Sequence, residues 1–555
     1  MRAGMLVGVL IAGTALVGLP GMASAMVSAG DGPAVLGQGP APANAPATRT
    51  AVAPAVEPVD WQPCPSATLS GVAADQQKTY SCATYRVPID HGNAALGTID
   101  IALLKRAAKT PGKKIGSLFL NPGGPGGSGL KMPISAQSFL QPDVLDRFDT
   151  IGFDPRGVGA SNPLRCFTTK EDSDDVFGGM MPEPSTRDEI STELAAYQDY
   201  AQFCRTNAGA LLDHMSTKDV ARDLDTLRAA VGDEKLTYVG FSYGTLIGAT
   251  YAAMFGKQTR AMVLDGNVDP ALRTSDGTRY DRERAKGTEA SLNGFLSKCQ
   301  QVGPKCAFAA GEQPRQKFDE LRTYLRQQPI KLPDGSAFDL NMFTSAVAGT
   351  LYSTPDFPAL ATDLQGLYEI THPAPAKPKS AADFKLLTLG KPTHNGLLDL
   401  APDSPYGADD SYLGVNCSDK KSTTSANDVA STAATWEAES PTFGRYQAFA
   451  DTAGCSVWPA KSDAYTGPWR AQTDNPVLVV GNYHDPATRY SFAQQMASEL
   501  GFSRLLSVDA FGHCVLGHSA GVDKATTAYL TDLTIPADGQ VFQPDTQPFD
   551  VPAKP

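Results

Sequence analysis

At 555 residues, 42% of them hydrophobic and 19% charged, the chain is too long for one simple core and has the composition of a soluble globular protein. Its 47 lysines and arginines against 59 aspartates and glutamates leave a net charge of −12, which argues against a nucleic-acid partner and offers no basic patch to an anionic membrane.

The amino-terminal stretch reads as an export signal: Arg2, an apolar run from Met5 to Leu19, then Ala23-Ser24-Ala25 as a small-residue cleavage site. The rival reading, a membrane anchor, is weakened because the run is short for a span and Pro20-Gly21 follow it. No cysteine lies near the cleavage site to carry a lipid, and no later stretch is long and apolar enough to span a bilayer. Residues 26–58 are rich in Ala, Pro and Gly and cannot form a core, so they read as a linker or pro-segment. Nine cysteines fit an oxidising compartment. Connectivity does not follow from sequence, but pairing in chain order would join 64–82, 166–204, 299–306 and 417–455 and leave Cys514 free. A metal site is disfavoured, because no C-x-x-C occurs and the histidines do not cluster with cysteines.

From Trp61 onward the chain alternates. Tyr80 to Asp90 and Thr98 to Leu104 read as an antiparallel hairpin around His91-Gly92-Asn93. Lys114 to Leu120 is a buried strand that runs into NPGGPGGSG (121–129), and Arg147 to Phe153 is the next strand, ending in Asp154-Pro155-Arg156-Gly157. The polar stretch from there to about 210 is expected to be irregular. Ser216 then caps a helix whose inner face is Val220, Leu224, Leu227 and Val231. Leu236 to Thr250 reads as strand, sharp turn and helix, and the strand Ala261 to Leu264 leads to Asp265-Gly266. Such alternation predicts a parallel sheet covered by helices on both faces. From about 271 to 470 it gives way to segments of helical character at 282–301, 313–328, 341–352, 355–370 and 427–450, read as an inserted, mostly helical domain. Alternation resumes with strand Pro476 to Val480, helix Tyr490 to Leu500, strand Leu505 to Val508 and helix Val522 to Leu533. The sheet domain is thus expected in two pieces, 59–270 and 471–555, split by the insertion.

The turn at 240–244 is G-x-S-x-G. Small neighbours let helix and strand approach, and a strained turn would lift Ser242 Oγ above the strand end. A serine needs a base, and the base an orienting acid. On an α/β-hydrolase sheet these follow in the order Ser, acid, His, and Ser242, Asp485 and His513 supply that order after successive strands. His518 and His484 compete with His513, and Asp154 and Asp265 with Asp485; Asp154 precedes the nucleophile and Asp265 the insertion. Oxyanion donors should come from the Tyr243 N–H and from the glycine loop after the third strand. That loop also matches a dinucleotide fingerprint at Gly124, Gly126 and Gly129. Pro125 removes an N–H where a pyrophosphate would want one, an exported protein has little access to NAD, and the Walker lysine is missing.

Taken together, NPGGPGGSG, DPRGVGAS, GFSYGT, LDGNVDP, an Asp-Pro after a late strand and a Gly-His near the carboxyl end resemble the secreted tripeptidyl and prolyl aminopeptidase branch of the α/β-hydrolase superfamily, over roughly 60–540. The resemblance implies an α/β-hydrolase fold with a mostly parallel sheet and a large helical cap inserted at 271–470. It implies Ser242 as nucleophile, Asp485 as acid, His513 as base, and Tyr243 with the pair Gly123 and Gly124 as oxyanion donors. Asn121-Pro122 stands where proline iminopeptidases carry a histidine, which points to the tripeptidyl type; Cys514 stands where the family pattern has glycine. An exopeptidase acting at a free N-terminus must also recognise the substrate ammonium, and Glu283, Glu289 and Asp419 are the candidate carboxylates. The expectation is a secreted or cell-wall-associated monomer that cleaves short peptides, of tripeptide length if the resemblance carries that far, from free N-termini without metal or cofactor. An exported carboxylesterase or lipase on the same triad is the alternative, and an inactive hydrolase-fold binding module a third class.

Overall fold

The structure, a computed structural model, describes residues 56–311, 313–332, 337–373, 386, 406 and 410–550. The expected signal segment and almost all of the Ala/Pro-rich tract lie outside the described residues.

Nine strands form one twisted sheet: β1 (Tyr80–Pro88), β2 (Thr98–Arg106), β3 (Gly116–Asn121), β4 (Phe148–Phe153), β5 (Leu236–Phe241), β6 (Thr259–Asp265), β9 (Val477–His484), β10 (Ser503–Phe511) and β11 (Gln540–Phe542), in the spatial order 1-2-4-3-5-6-9-10-11. The small strands β7 (Ile330–Lys331) and β8 (Ala337–Phe338) pair separately. β1 and β2 run antiparallel, β2 is antiparallel to β4, and every other pairing in the large sheet is parallel. The parallel strands read as continuous apolar runs because both faces are covered. Successive residues serve opposite layers. Val477 and Val479 join Tyr238, Met262 and Leu264 in one core, while Leu478 and Val480 join Val239, Val263 and Leu118 in the other.

Between Asp265 and Val477 no described residue adds a strand to the large sheet. Helices Pro270–Ser275, Gly277–Val302, Pro314–Gln327, Leu340–Thr350, Phe357–Thr371, Ser411–Asp419 and Val429–Glu439 fill this stretch. It has two kinds of core. Leu292, Phe295, Phe318, Phe343, Phe357 and Leu364 make an apolar cluster of their own. Leu413, Val429, Trp436 and Phe449 instead pack into the cluster that covers the sheet.

Four sequence expectations need correction. The stretch before 210 holds two helices, Lys170–Gly178 and Arg187–Asn207. The second opens on a capping box, Thr186 with Glu189, and buries Ala196, Tyr197, Tyr200 and Cys204; its polar exposed face masked that stripe. Helix 427–450 breaks after Glu439, where Pro441 lacks the N–H a continuing helix needs. Helix Ser411–Asp419 and edge strand Gln540–Phe542 were not anticipated. The cysteines pair in chain order, Cys64–Cys82, Cys166–Cys204, Cys299–Cys306 and Cys417–Cys455, and Cys514 is a free thiol. No helix among the described residues is long and apolar enough to cross a membrane.

Candidate active site

Five adjacent parallel strands, β3, β5, β6, β9 and β10, bring their carboxyl ends to one edge of the sheet. That edge is where ligands meet open α/β sheets, and every sequence-predicted catalytic residue follows one of these strands.

Ser242 leaves β5 with φ +54°, a left-handed conformation that a non-glycine residue holds only when its surroundings enforce it. They do so from both sides. A Cβ on Gly240 would lie 2.5 Å from the Gly244 carbonyl oxygen, and one on Gly244 would lie 2.7 Å from Asn121 Oδ1. The Ser242 N–H donates to the Asp265 carbonyl at 2.9 Å, which ties the elbow to β6.

The glycine loop after β3 packs against the elbow. A Cβ on Gly123 would fall 2.4 Å from the Phe241 carbonyl oxygen and 2.8 Å from the Tyr243 nitrogen. Gly123 is therefore a packing glycine. Its N–H donates to Asn121 Oδ1 at 2.9 Å and is already committed. Of the two expected loop donors it is Gly124 that lines the cavity with Ser242 and Tyr243.

Asp485 follows β9 and meets His513 Nδ1 at 2.9 and 3.0 Å. It is 2% exposed, and its Oδ1 accepts from the N–H groups of Ala487 and Thr488 at 2.8 and 2.7 Å. The Thr488 hydroxyl donates to Oδ2 at 3.0 Å and lies 3.3 Å from His513 Nδ1, bracing acid and base together. This geometry makes Nδ1 the protonated nitrogen and leaves Nε2 as acceptor; Nε2 is buried without a hydrogen-bond partner. The His513 N–H donates to the Tyr352 carbonyl at 2.9 Å, and the Tyr352 ring meets the imidazole edge-on at 5.0 Å. Tyr352 lines the cavity that holds Ser242 and also a second one, of about 130 Å³, lined by His513, His518 and Phe511.

The rival acids have other duties. Asp154 accepts from the Ser128 hydroxyl at 2.6 Å and from the N–H groups of Gly129 and Ala160 at 2.9 and 2.8 Å, clamping the glycine loop. Asp265 accepts from the N–H groups of Val515 and Leu516 at 2.8 and 2.9 Å, just past the histidine. Burial pushes both carboxyls up to about 6. His484 stacks on Phe511 at 4.1 Å, and burial lowers its pKa. Cys514 sits at φ +66°, where a glycine would be unstrained, and burial raises its thiol pKa well above the usual range.

None of the three candidate amine-binding acids lines the cavity that holds Ser242. Glu283 pairs with Lys286 at 3.0 Å and with Arg489. Glu289 accepts from the N–H groups of Thr442 and Phe443 at 2.9 and 3.3 Å and from Arg315 at 3.3 Å, which knits helices Gly277–Val302 and Pro314–Gln327. Asp419 comes nearest, accepting from the Tyr243 hydroxyl at 3.2 Å and the Thr217 N–H at 2.8 Å.

The cavity, about 30 Å³, is walled opposite the elbow by Arg273, Tyr280, Arg284, Tyr412 and Asn416. Sequence reasoning missed all five, for they come from helices with no motif of their own. Thr488 was findable, because Asp-x-x-Thr is a local turn in which the aspartate caps the following N–H groups.

Residues 116–310 match a family model described as the alpha/beta hydrolase fold, and residues 440–542 match one described as TAP-like protein. The serine protease Hip1 of Mycobacterium tuberculosis is 29% identical over 502 residues, covering 87% of this chain and 90% of that protein. A tripeptidyl aminopeptidase of Streptomyces coelicolor is 28% identical over 484 residues, covering 83% of this chain and 81% of that protein. Carboxylesterase B of M. tuberculosis is 30% identical over 469 residues, covering 83% and 85%. Sequence likeness across most of both chains and the sheet-edge geometry of this chain agree: the chain belongs to the α/β-hydrolase family, in its serine-peptidase branch.

Proposed function

We propose that the protein is an exported serine exopeptidase that releases short peptides, tripeptides in the first instance, from free N-termini. The single observation that carries the chemistry is the Asp485–His513 pair, 2.9 Å apart, at the same sheet edge as a serine held at φ +54° on its elbow. Ser242 Oγ attacks the scissile carbonyl while His513 Nε2 takes its proton, and Asp485 stabilises the imidazolium through Nδ1–H. The tetrahedral oxyanion is met by the N–H groups of Tyr243 and Gly124. His513 gives its proton to the leaving amine, which departs and leaves an acyl ester on Ser242. Water, deprotonated by the same nitrogen, then cleaves that ester and returns Ser242 and a free carboxylate.

Two observations support a peptide substrate bound several residues deep. The relatives named as a serine protease and a tripeptidyl aminopeptidase cover most of the chain. The wall facing Ser242 presents the guanidinium of Arg273, which makes no ion pair among the described residues, so a substrate ammonium is repelled from the position next to the nucleophile and sits farther along. The described helices between 271 and 470 act as the cap over that substrate. Four disulfides fit an oxidising compartment outside the cytosol. The relative named carboxylesterase B keeps ester hydrolysis open as a second reading.

The test sets a free-amine tripeptidyl chromogenic amide beside its N-acetylated twin and a short acyl ester. Cleavage of the free-amine amide alone, lost by roughly 10⁶-fold in Ser242→Ala, is the expected result. Turnover of the ester alone would move the protein to the second reading.

A further inference from the structure

Arg273, on helix Pro270–Ser275, differs from Arg284, the second arginine of the cavity wall. It is 3% exposed and lines the same cavity as Ser242. Arg284 beside it is matched by Asp451 at 2.5 Å. Arg273 makes no ion pair among the described residues. Its Nη2 donates to Asn416 Oδ1 at 2.6 Å, and its Nε has no partner. Asn416, itself 1% exposed and on the same cavity wall, leaves its Nδ2 without a partner too. Asp419 and Asp281 act on the guanidinium only from a distance.

Two unpaired donors, both buried and both on one cavity wall, are a costly arrangement unless something accepts from them. The guanidinium is also held in place. It lies over the rings of Tyr243 and Tyr280, 5.7 and 5.3 Å from their centroids, so its planar fork is fixed before any ligand arrives. A fork of N–H donors with an amide N–H beside it matches the two oxygens of a carboxylate. The cavity has room for one small polar group.

We propose that Arg273 and Asn416 form a subsite for a carboxylate of the substrate, next to the scissile bond. The proposal rests on the exopeptidase reading above. The carboxylate has two possible sources in a peptide: an acidic side chain on the residue whose carbonyl is attacked, or the C-terminal carboxylate of a peptide one residue longer than the released piece. Either source makes the enzyme select for an acid beside Ser242.

The experiment measures binding on Ser242→Ala, which holds substrate without consuming it, and turnover on the protein with Ser242 intact. Four tetrapeptide probes separate the sources: Ala-Ala-Ala-Gly as free acid and as C-terminal amide, and the C-terminal amides of Ala-Ala-Glu-Gly and Ala-Ala-Gln-Gly. In one of the two pairs the acid should bind at least tenfold more tightly than its neutral twin. Adding Asn416→Ala, or Arg273→Gln, should bring that ratio close to one, and Arg273→Lys should restore part of it. Should Arg273→Gln fail to fold, Asn416→Ala and Arg273→Lys carry the comparison. Equal binding of acid and neutral probes in both pairs overturns the subsite, and so does a preference that survives Asn416→Ala and Arg273→Gln. If the neutral probes are cleaved with no acid preference, the exopeptidase reading stands and the subsite alone is lost. If no probe is bound or cleaved, both are lost.

Discussion

The two sides of the cavity are held by different physics. On the sheet side, the buried carboxylates Asp154, Asp265 and Asp485 are fixed by backbone N–H groups of nearby loops. On the helical side, several buried carboxylates face cations, although Glu289 and Asp419 there also take backbone N–H groups. Asp281 takes Lys420 at 2.7 Å, Asp451 takes Arg284 at 2.5 Å, and Glu183 takes Arg322 at 2.5 Å. Backbone donors come with the loop and are in place once the strand ends. Ion pairs join residues more than a hundred positions apart, and each partner depends on the other's burial. The sheet side is therefore local and rigid, while the helical side is a web that fails when one member is removed.

The largest effect should come on the sheet side, and in activity rather than stability. Asp485→Asn keeps an acceptor for Ala487 and Thr488 but turns an amide N–H toward His513 Nδ1. The imidazole then takes the wrong tautomer, and kcat on the free-amine tripeptidyl amide should fall about 10⁴-fold with an unchanged melting temperature. A loss under tenfold would remove Asp485 from its role. Next comes the helical side, in stability. Asp451 sits in a widened helical turn, Ala448–Ala453, which swings its carboxylate inward to Arg284, Tyr412 and Gln447. Burial pushes its carboxyl up, and the Arg284 and Lys420 charges more than offset this, holding it below the usual range. Asp451→Ala strands buried Arg284 and should cost about 3–5 kcal/mol by urea unfolding. A cost below about 1 kcal/mol would show that the wall does not depend on its ion pairs.

The same contrast explains what was legible in the sequence. The strand ends, the elbow and the order Ser242, Asp485, His513 were readable because each depends on a few consecutive residues. Pairing of cysteines in chain order held because each disulfide joins neighbouring segments, as Cys299 with Cys306 within one turn region. Asp154, Asp265 and Asp485 all follow strands, so sequence separated them only by chain order; the structure adds which loop reaches His513. The amine-binding candidates were hard to weigh for the opposite reason, and none of them lines the cavity with Ser242. Glu289 and Glu283 look available as single letters, yet partners from distant helices engage them. Arg273, Asn416 and Tyr352 carried no local signal at all, because their roles exist only once the helices close on the sheet edge.

Asp265 offers a pH-dependent probe of the sheet side. Its carboxyl is raised from an ordinary 3.8 to about 6 by burial, with Val515 and Leu516 donating to Oδ2 and nothing to Oδ1. A raised carboxyl means the native state holds its proton longer than the unfolded chain. Below pH 3.8 both states are protonated and the group is neutral in its effect. Between there and about 6 the unfolded chain ionises first, so the native state loses stability as pH rises, by on the order of 3 kcal/mol in all. Asp265→Asn keeps the Oδ acceptor and removes the ionisation, so it should flatten that part of the pH–stability curve and be the more stable protein at pH 7. Parallel curves for the two proteins would refute it.

The smallest effect tests a place where the helical segment holds the catalytic loop directly. The Thr354 hydroxyl donates to the Phe511 carbonyl at 2.9 Å, and the Tyr352 carbonyl accepts from the His513 N–H at 2.9 Å. A Cβ on Gly512 would lie 2.9 Å from that same carbonyl oxygen, so the loop is pressed against the segment. Thr354→Val is nearly isosteric and removes only the donor, at about 1 kcal/mol. If the segment positions His513, kcat should drop several-fold while KM stays, and Thr354→Ser, which restores the hydroxyl, should recover it. A structural role alone would lower the melting temperature of the valine variant and leave kcat where it was. If serine and valine lower kcat equally, the hydroxyl is not what holds the loop. The base would then owe its place to Asp485 and to the Tyr352 carbonyl, and the helical segment would hold the catalytic loop through its backbone alone.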